Sequence, residues 1–352
     1  MPSETPANSD AIELAFPDRY SRQVLFAPIG GEGQERLGAA HVAIVGVGAT
    51  GAAVAGLLAR AGVGRLTLID RDFVEPSNLQ RQVLFDEADA LAALPKAEAA
   101  RRQIARFNSE IAVEAHVADL VPANIHSLLD GAQLVLDATD NFETRYLLND
   151  YAVEQGKPWI YAGAVGAYAV SMNILPGETA CLACLFPKPP SGPVETCDTA
   201  GILGMAINLA ASVEAAEAIK YLIGARASMR RTLLSHDLWI NEHSELRAGT
   251  PRPNCQVCGP ERNFTHLRGE GRPHITLCGR NSVQIHEHSR AIDFPALAAT
   301  LQPHGTVRWN ELLLRFTRAP FTLTVFPDGR TLVQGTTDVS QARSLYARFL
   351  GT

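Results

Sequence analysis

The amino-acid sequence predicts an α/β fold: a doubly wound, mostly parallel, Rossmann-like sheet with a small α+β unit behind it. Three observations carry this expectation. Apolar, β-branched runs alternate with helical segments between residues 41 and 162. A glycine-rich turn joins the first of those runs to the first helix. Beyond residue 262 the rhythm changes to short alternating strands and a tight turn.

The elements follow in order. Arg19–Arg22 opens a short helix, and His41–Val47 (HVAIVGV) is a compact buried strand. Ala49–Ala61 has helical composition and stops at Gly62, a residue suited to ending helices. Arg65–Asp70 is the second strand, Lys96–Phe107 a helix, Val113–Val117 the third strand and Ile125–Leu129 a short helix. Leu134–Ala138 is the fourth strand, Asn141–Gln155 a helix and Trp159–Ala162 a fifth strand. Leu203–Ile223 is the longest apolar stretch, and Glu214, Glu217 and Lys220 within it predict one wet face of an amphipathic helix rather than a membrane span. Pro187–Thr199 is a long Pro- and Gly-rich loop, and Pro251–Arg262 a second irregular stretch. Further on come strands at ITLCG and SVQIH, a helix at Asp293–Leu301, a strand at ELLLRFT, a hairpin turning at Pro327-Asp328-Gly329, and a helix over Val339–Leu350. The chain thus divides into a flexible arm (1–18), an α/β domain (19–265) and a small α+β C-terminal domain (270–352).

Composition narrows the function classes. The 352 residues are 46% hydrophobic and 19% charged, an ordinary globular balance. A net charge of -6 disfavours nucleic acid as a partner, since phosphate backbones need a basic surface. The N-terminus lacks the basic and apolar regions of a signal peptide, so no membrane role and a cytoplasmic location are expected. Four of the six cysteines form two C-x-x-C pairs, Cys181/Cys184 and Cys255/Cys258. Four thiolates suit a tetrahedral Zn²⁺ with no open position, hence a structural zinc site; free thiols and redox pairs are the alternatives. Cys197 stands alone in the Pro-rich loop, and Cys278 reads as core packing.

The turn Gly46-Val47-Gly48-Ala49-Thr50-Gly51 follows a strand and opens a helix, where glycines admit a phosphate and the helix offers free N–H groups. Asp70 closes the next strand, where a carboxylate accepts ribose hydroxyls. This pair points to a ribonucleotide without separating NAD from ATP; close helix packing alone is the plainer alternative. A second cluster favours a triphosphate: Asp72, Ser77, Asn78, Gln80 and Arg81 follow the strand closely, then Lys96. Arg81 offers a fork and Lys96 a point charge, with Arg22 a third cation, although any one of these alone would read as a solvated surface charge. Asp140, in Asp137-Ala138-Thr139-Asp140-Asn141 at the fourth strand's end, is placed to hold Mg²⁺; a helix N-cap at Asp140 or Asn141 is the competing role.

RYSRQ at 19–23, GVGATG at 46–51, SNLQRQ at 77–82, Lys96, DATDN at 137–141 and Arg145 together resemble the MoeB/ThiF/HesA branch of the ubiquitin-activating superfamily, over residues 15–262. The C-terminal unit resembles an extension on some bacterial ThiF-like proteins. The resemblance implies an adenylyltransferase that binds Mg·ATP and activates the terminal glycine of a ubiquitin-like sulfur-carrier protein ending in Gly-Gly. It implies a homodimer, with a sulfur-donor protein as a further partner. By position, Asp70 would bind the ribose; Asn78, Arg81 and Lys96 the phosphates; Asp140 magnesium; and Arg22 the phosphates of the neighbouring subunit. Cys197 would occupy the place of a cysteine that forms a covalent link to the carrier in some members. The chain has Ala49 where many relatives have glycine. Two rivals stand beside this reading. An NAD(P)-dependent oxidoreductase leaves Arg81, Lys96 and the zinc cysteines unexplained. An inactive scaffold of the same fold leaves the full charged set without purpose.

Overall fold

The computed structural model describes residues 19–188, 200–269, 282–285 and 291–351, and the backbone of 275–278. The arm 1–18, Cys197 and the His286-Glu287-His288 segment lie outside the described residues, as does the side chain of Cys278.

The larger sheet has eight strands. In chain order they are β1 (His41–Val45), β2 (Arg65–Ile69), β3 (Ala112–His116), β4 (Leu134–Asp137), β5 (Trp159–Val165), β6 (Tyr168–Ile174), β7 (Thr232–Asp237) and β8 (Glu242–Arg247). Their spatial order is β3-β2-β1-β4-β5-β6-β7-β8. The first five run parallel, and β5 to β8 pair antiparallel. Chain order reverses between β2-β1 and β4-β5, which opens a crevice beyond the carboxyl ends of β1 and β4.

Period-2 alternation divides β1 between two cores. Val42 and Ile44 pack with Val54, Leu58, Leu68 and Ile104 on one face. Ala43 and Val45 pack with Leu147, Tyr151, Trp159 and Met172 on the other. Burial on both faces explains why the parallel strands read as continuous apolar runs.

The Gly204–Leu222 helix corrects one expectation. Glu214 and Glu217 do not form a wet face; they are 0% and 3% exposed. The helix lies against β5 and β6 on one side and the Ala49–Ala61 helix on another, and its exposed stripe runs through Met205, Asn208, Ser212 and Ala216 instead. Glu217 resolves its charge by accepting from Lys220 Nζ at 2.6 Å, the Arg230 amide at 2.9 Å and Asn173. Among the described residues Glu214 has no hydrogen-bond partner, and burial raises its carboxyl well above the usual range.

The smaller sheet is antiparallel, with order β11-β12-β13-β14-β10-β9. Its strands are β9 (Ile275–Cys278), β10 (Ser282–Ile285), β11 (Thr306–Trp309), β12 (Leu314–Arg318), β13 (Phe321–Val325) and β14 (Thr331–Gln334). Helices Phe294–Leu301 and Val339–Leu350 cover its apolar face, where Phe294, Leu301, Tyr346 and Phe349 pack in one cluster with Phe316 of β12. The strand expected at ELLLRFT starts later, at Leu314. Asn310 Oδ1 accepts the amides of Leu312 and Leu313 at 2.8 and 3.0 Å and holds that stretch in a turn. No helix among the described residues is long and apolar enough to cross a membrane.

Candidate functional site

The glycine turn is built by close backbone approach. Val45 pairs with Ile69 on one side and Asp137 on the other, so Gly46, Asp70 and Ala138 end neighbouring strands. Gly46 has φ +85°, and a Cβ there would lie 2.8 Å from the Ala138 carbonyl oxygen. A Cβ on Gly51 would lie 1.9 Å from the Gly46 oxygen. Both positions therefore require glycine for the fold itself. Gly48 differs: a Cβ there would meet nothing within 4 Å, so the space before the helix N-terminus is open.

Asp70 is locked at the end of β2. Its Oδ2 accepts the Val47 amide at 2.6 Å and its Oδ1 the Asp72 amide at 2.7 Å. Burial pushes its carboxyl above the usual range, while Lys96 pulls it back. The next residues run beside 94–96: Val74 N–H donates to Leu94 O at 2.8 Å, and Lys96 N–H to Asp72 O at 2.8 Å. That pairing sets Lys96 Nζ 3.1 Å from Asp72 Oδ2. Lys96 is only 5% exposed, so its charge acts with little screening.

Pro76–Asn78 is a 3₁₀ turn that presents the next polar groups. Asn78 is fully buried; its Oδ1 accepts the Glu75 amide at 3.1 Å, and its Nδ2 has no hydrogen-bond partner among the described residues. Gln82 is buried with its Oε1 likewise unpartnered. Arg81 Nη1 donates to Ser77 O at 2.9 Å, and Ser77 and Gln80 are exposed. Arg22 is exposed on the Ser21–Val24 helix.

At the end of β4 the two acids separate. Asp137 is fully buried, accepts Thr139 N at 3.0 Å and Thr139 Oγ1 at 2.7 Å, and meets Arg145 Nε at 3.0 Å. Arg145 also donates to Thr139 O and lies 4.8 Å over the Tyr161 ring. Asn141 takes the helix cap, its Oδ1 accepting from Glu143 N at 2.8 Å. Asp140 is left exposed, neither capping the helix nor joining the buried pair. The Asp137–Arg145 clamp had only a faint signal in the sequence, an Arg eight residues after an Asp. Gln82 was visible only as the end of the SNLQRQ run, and Glu214 was read as part of a wet helix face.

The four cysteines of the two C-x-x-C pairs converge. Their sulfurs all lie within 4.8 Å of one another. Cys181 to Cys255 is 3.6 Å, Cys181 to Cys184 3.8 Å and Cys184 to Cys258 3.4 Å. A tetrahedral ion with metal–sulfur bonds of about 2.3 Å sets its sulfurs about 3.8 Å apart, which this cluster matches. The Arg252 amide donates to Cys184 Sγ at 3.3 Å.

The segment after this cluster is tied to the Phe142–Gln155 helix. Asp150 Oδ2 accepts the amides of His266 and Leu267 at 2.9 and 3.3 Å. Burial nevertheless pushes its carboxyl up to about 6. The fold therefore favours the protonated form, and this contribution is full below about pH 3.9 and lost as pH rises through about 6. Asp150→Asn keeps the acceptor and removes the charge. Its stability relative to the parent is expected to improve between about pH 4.5 and 7, measured by urea unfolding at both values. A pH-independent difference would contradict this.

Residues 20–257 match the ThiF family. Sulfur carrier protein ThiS adenylyltransferase of Bacillus subtilis is 42% identical over 337 residues, 95% of this chain and 99% of that protein. A sulfur carrier protein adenylyltransferase of Thermus thermophilus is 42% identical over 251 residues, 69% of this chain and 91% of that protein. Among solved structures, E. coli MccB with ATP superposes with a TM-score of 0.60 at 29% identity, covering 69% of this chain and 74% of that one.

Proposed function

Because the chain belongs to the ThiF family, we propose that it is an adenylyltransferase that activates the C-terminal carboxylate of a ubiquitin-like sulfur-carrier protein with ATP. The observation that carries this reading is the register of β1, β2 and β4. It ends those three strands side by side, which supports reading the open turn at Gly48, the fixed Asp70 carboxylate and Asp140 as one nucleotide site.

The chemistry fits those residues. A C-terminal carboxylate is ionised near pH 7 and attacks the α-phosphate without a general base. One carboxylate oxygen bonds to phosphorus as the bond to the β-phosphate oxygen breaks, giving a carrier acyl-adenylate and pyrophosphate. The protein's task is alignment and charge neutralisation. Asp70 receives the ribose hydroxyls. Lys96 and Arg81 face the phosphates, and the unpartnered Nδ2 of Asn78 supplies a buried donor for a phosphate oxygen. Asp140 and ordered water would hold Mg²⁺, whose charge offsets that of the polyphosphate. Ser77, Gln80, Asp72, Ala49 and Asn141 line the same turns and complete the proposed nucleotide contacts.

Zn²⁺ is the ion we assign to Cys181, Cys184, Cys255 and Cys258, because four thiolates at tetrahedral spacing leave no open position. We read the chain as a homodimer in which Arg22 reaches the partner's phosphates. The exposed Leu25, Phe26 and Val83, beside Arg22 and Arg81 in sequence, support this. A sulfur donor would act after adenylation, displacing AMP to leave a thiocarboxylate. Cys197 is proposed to form a covalent link to the carrier. Cys197→Ala is expected to retain carrier adenylation and to lose any DTT-sensitive adduct, read by intact mass. An adduct that persists would assign the chemistry to another thiol.

The test of the proposed function is ATP–pyrophosphate exchange with a Gly-Gly-ending carrier. Exchange that requires both carrier and Mg²⁺ supports it. Full exchange without carrier, or none with any carrier of this class, contradicts it.

A further inference from the structure

The C-terminal sheet meets the nucleotide crevice through a small charged and apolar joint. Asp119 follows β3, beside the end of β2, where the Asp70 amide donates to His116 O at 3.1 Å. Arg71 Nη1 donates to Asp119 Oδ1 at 3.0 Å. From the other side, Gln284 of β10 donates to Asp119 Oδ2, and Arg330 Nη1 stands 3.7 Å from that oxygen. Arg330 is 1% exposed, stacks 3.9 Å over Phe326, and makes no side-chain hydrogen bond among the described residues. Asp119 and Asp328, the latter at 3.9 Å, are the acids that answer its charge. Next to this joint, Phe73 packs on Leu313 and Phe326 beneath the Arg315 guanidinium, 5.0 Å away.

Arg71 and Phe73 flank Asp72 in the chain and follow Asp70. Their side chains are gripped by the C-terminal unit, directly at Phe73 and through Asp119 at Arg71. The same four-residue segment carries the proposed ribose acid and the partner of Lys96. We propose that the C-terminal unit is a built-in positioning element for ATP: Arg330, through Asp119 and Phe73, fixes Asp70–Phe73 and thereby the Asp72–Lys96 pair. An arginine fully buried in a hairpin turn and opposed at long range by two acids is costly to keep for packing alone, because its desolvation is offset only by those charges. Its use is to hold a joint at one geometry. Burial raises the Asp119 carboxyl, but Arg71 and Arg330 together pull it below the usual range, so the joint is charged at neutral pH.

The inference rests on the adenylation reading for its kinetic arm and not for its structural arm. The full-length chain and two variants, Arg330→Met and Asp119→Asn, are compared; methionine keeps much of the buried volume and asparagine the shape. The structural arm is hydrogen exchange at the amides of Asp72, Val74 and Lys96, without nucleotide. Faster exchange there in both variants, with the Ala49–Ala61 helix unchanged, is expected. The kinetic arm expects the KM for ATP to rise about tenfold, with kcat and the carrier KM within about twofold of the parent. Arg330→Lys, which keeps the charge, should restore most of the ATP KM. Unchanged exchange at Asp72 and Lys96 would overturn the proposal. So would faster exchange with an unaltered ATP KM, or losses shared equally by ATP, carrier and stability. A parent chain with no exchange activity would instead refute the adenylation reading, and amide exchange would still decide the joint.

Discussion

Replacing Asp140 by alanine is expected to lower carrier-dependent ATP–pyrophosphate exchange by roughly 10²–10³-fold, the loss typical of removing one well-placed electrostatic group from a site. The strand end carries two acids with different work. Asp137 is buried and spent on Thr139 and Arg145, so it shapes the loop. Asn141 caps the following helix, which frees Asp140 from that duty. Asp140 is exposed just beyond β4, and in the proposed site its carboxylate meets the metal-bound polyphosphate. The fold should survive the change, because Asp140 is exposed and its neighbours are satisfied without it. Thermal unfolding within error of the parent, together with collapsed exchange, is the expected pair of results. Wild-type exchange in Asp140→Ala would remove Asp140 from the chemistry.

The second large effect is expected at the cysteine cluster. Cys184→Ser should lower bound zinc from one ion per chain to well under one and destabilise the chain by about 4 kcal/mol or more, since metal loss belongs to the small class of severe mechanisms. Cys184 lies 3.8 Å from Cys181 and 3.4 Å from Cys258, and its sulfur also accepts the Arg252 amide. Without an ion, two buried thiols, the half-buried Cys258 and an irregular stretch after Arg252 have little to hold them. Elemental analysis of fresh, reduced protein and a melt with chelator check both parts. A parent chain that carries well under one zinc, or a variant that melts like the parent, would contradict the assignment.

Most of the parallel half of the fold was legible because β1, β2 and β4 are covered on both faces, whereas the edge strand β3 is not. HVAIV, RLTLI and LVLD can hardly be anything but buried strands, and the glycine turn marks where the first helix begins. The antiparallel half was not legible. β7 (TLLSHD) and β8 (EHSELR) are polar strands near an open edge; β8 is exposed throughout, so no apolar period betrays it. Glu214 and Glu217 misled for the opposite reason. Charge on a helix normally marks a wet face, but here both acids face the sheet and helix packed against them; one is paired, and burial raises the carboxyl of the other well above the usual range. At the site, the residue types could be read from the chain, but their division of labour could not. The Asp72–Lys96 pair spans 24 residues and depends on the backbone pairing of 72–74 with 94–96. The sequence singled out Asp140 for magnesium, but it left Asp137 without a task. Their roles follow from which one Arg145 reaches after the helix turns back.

The most direct test is to incubate the purified chain with Mg·ATP and a Gly-Gly-ending carrier, without sulfur donor, and to weigh the carrier by intact mass spectrometry. The account predicts a carrier heavier by one adenylyl group, formed with ATP and absent with NAD⁺ or with a carrier whose terminal glycine is removed. A carrier of unchanged mass across all sulfur-carrier candidates, with ATP demonstrably bound to the chain, would contradict it.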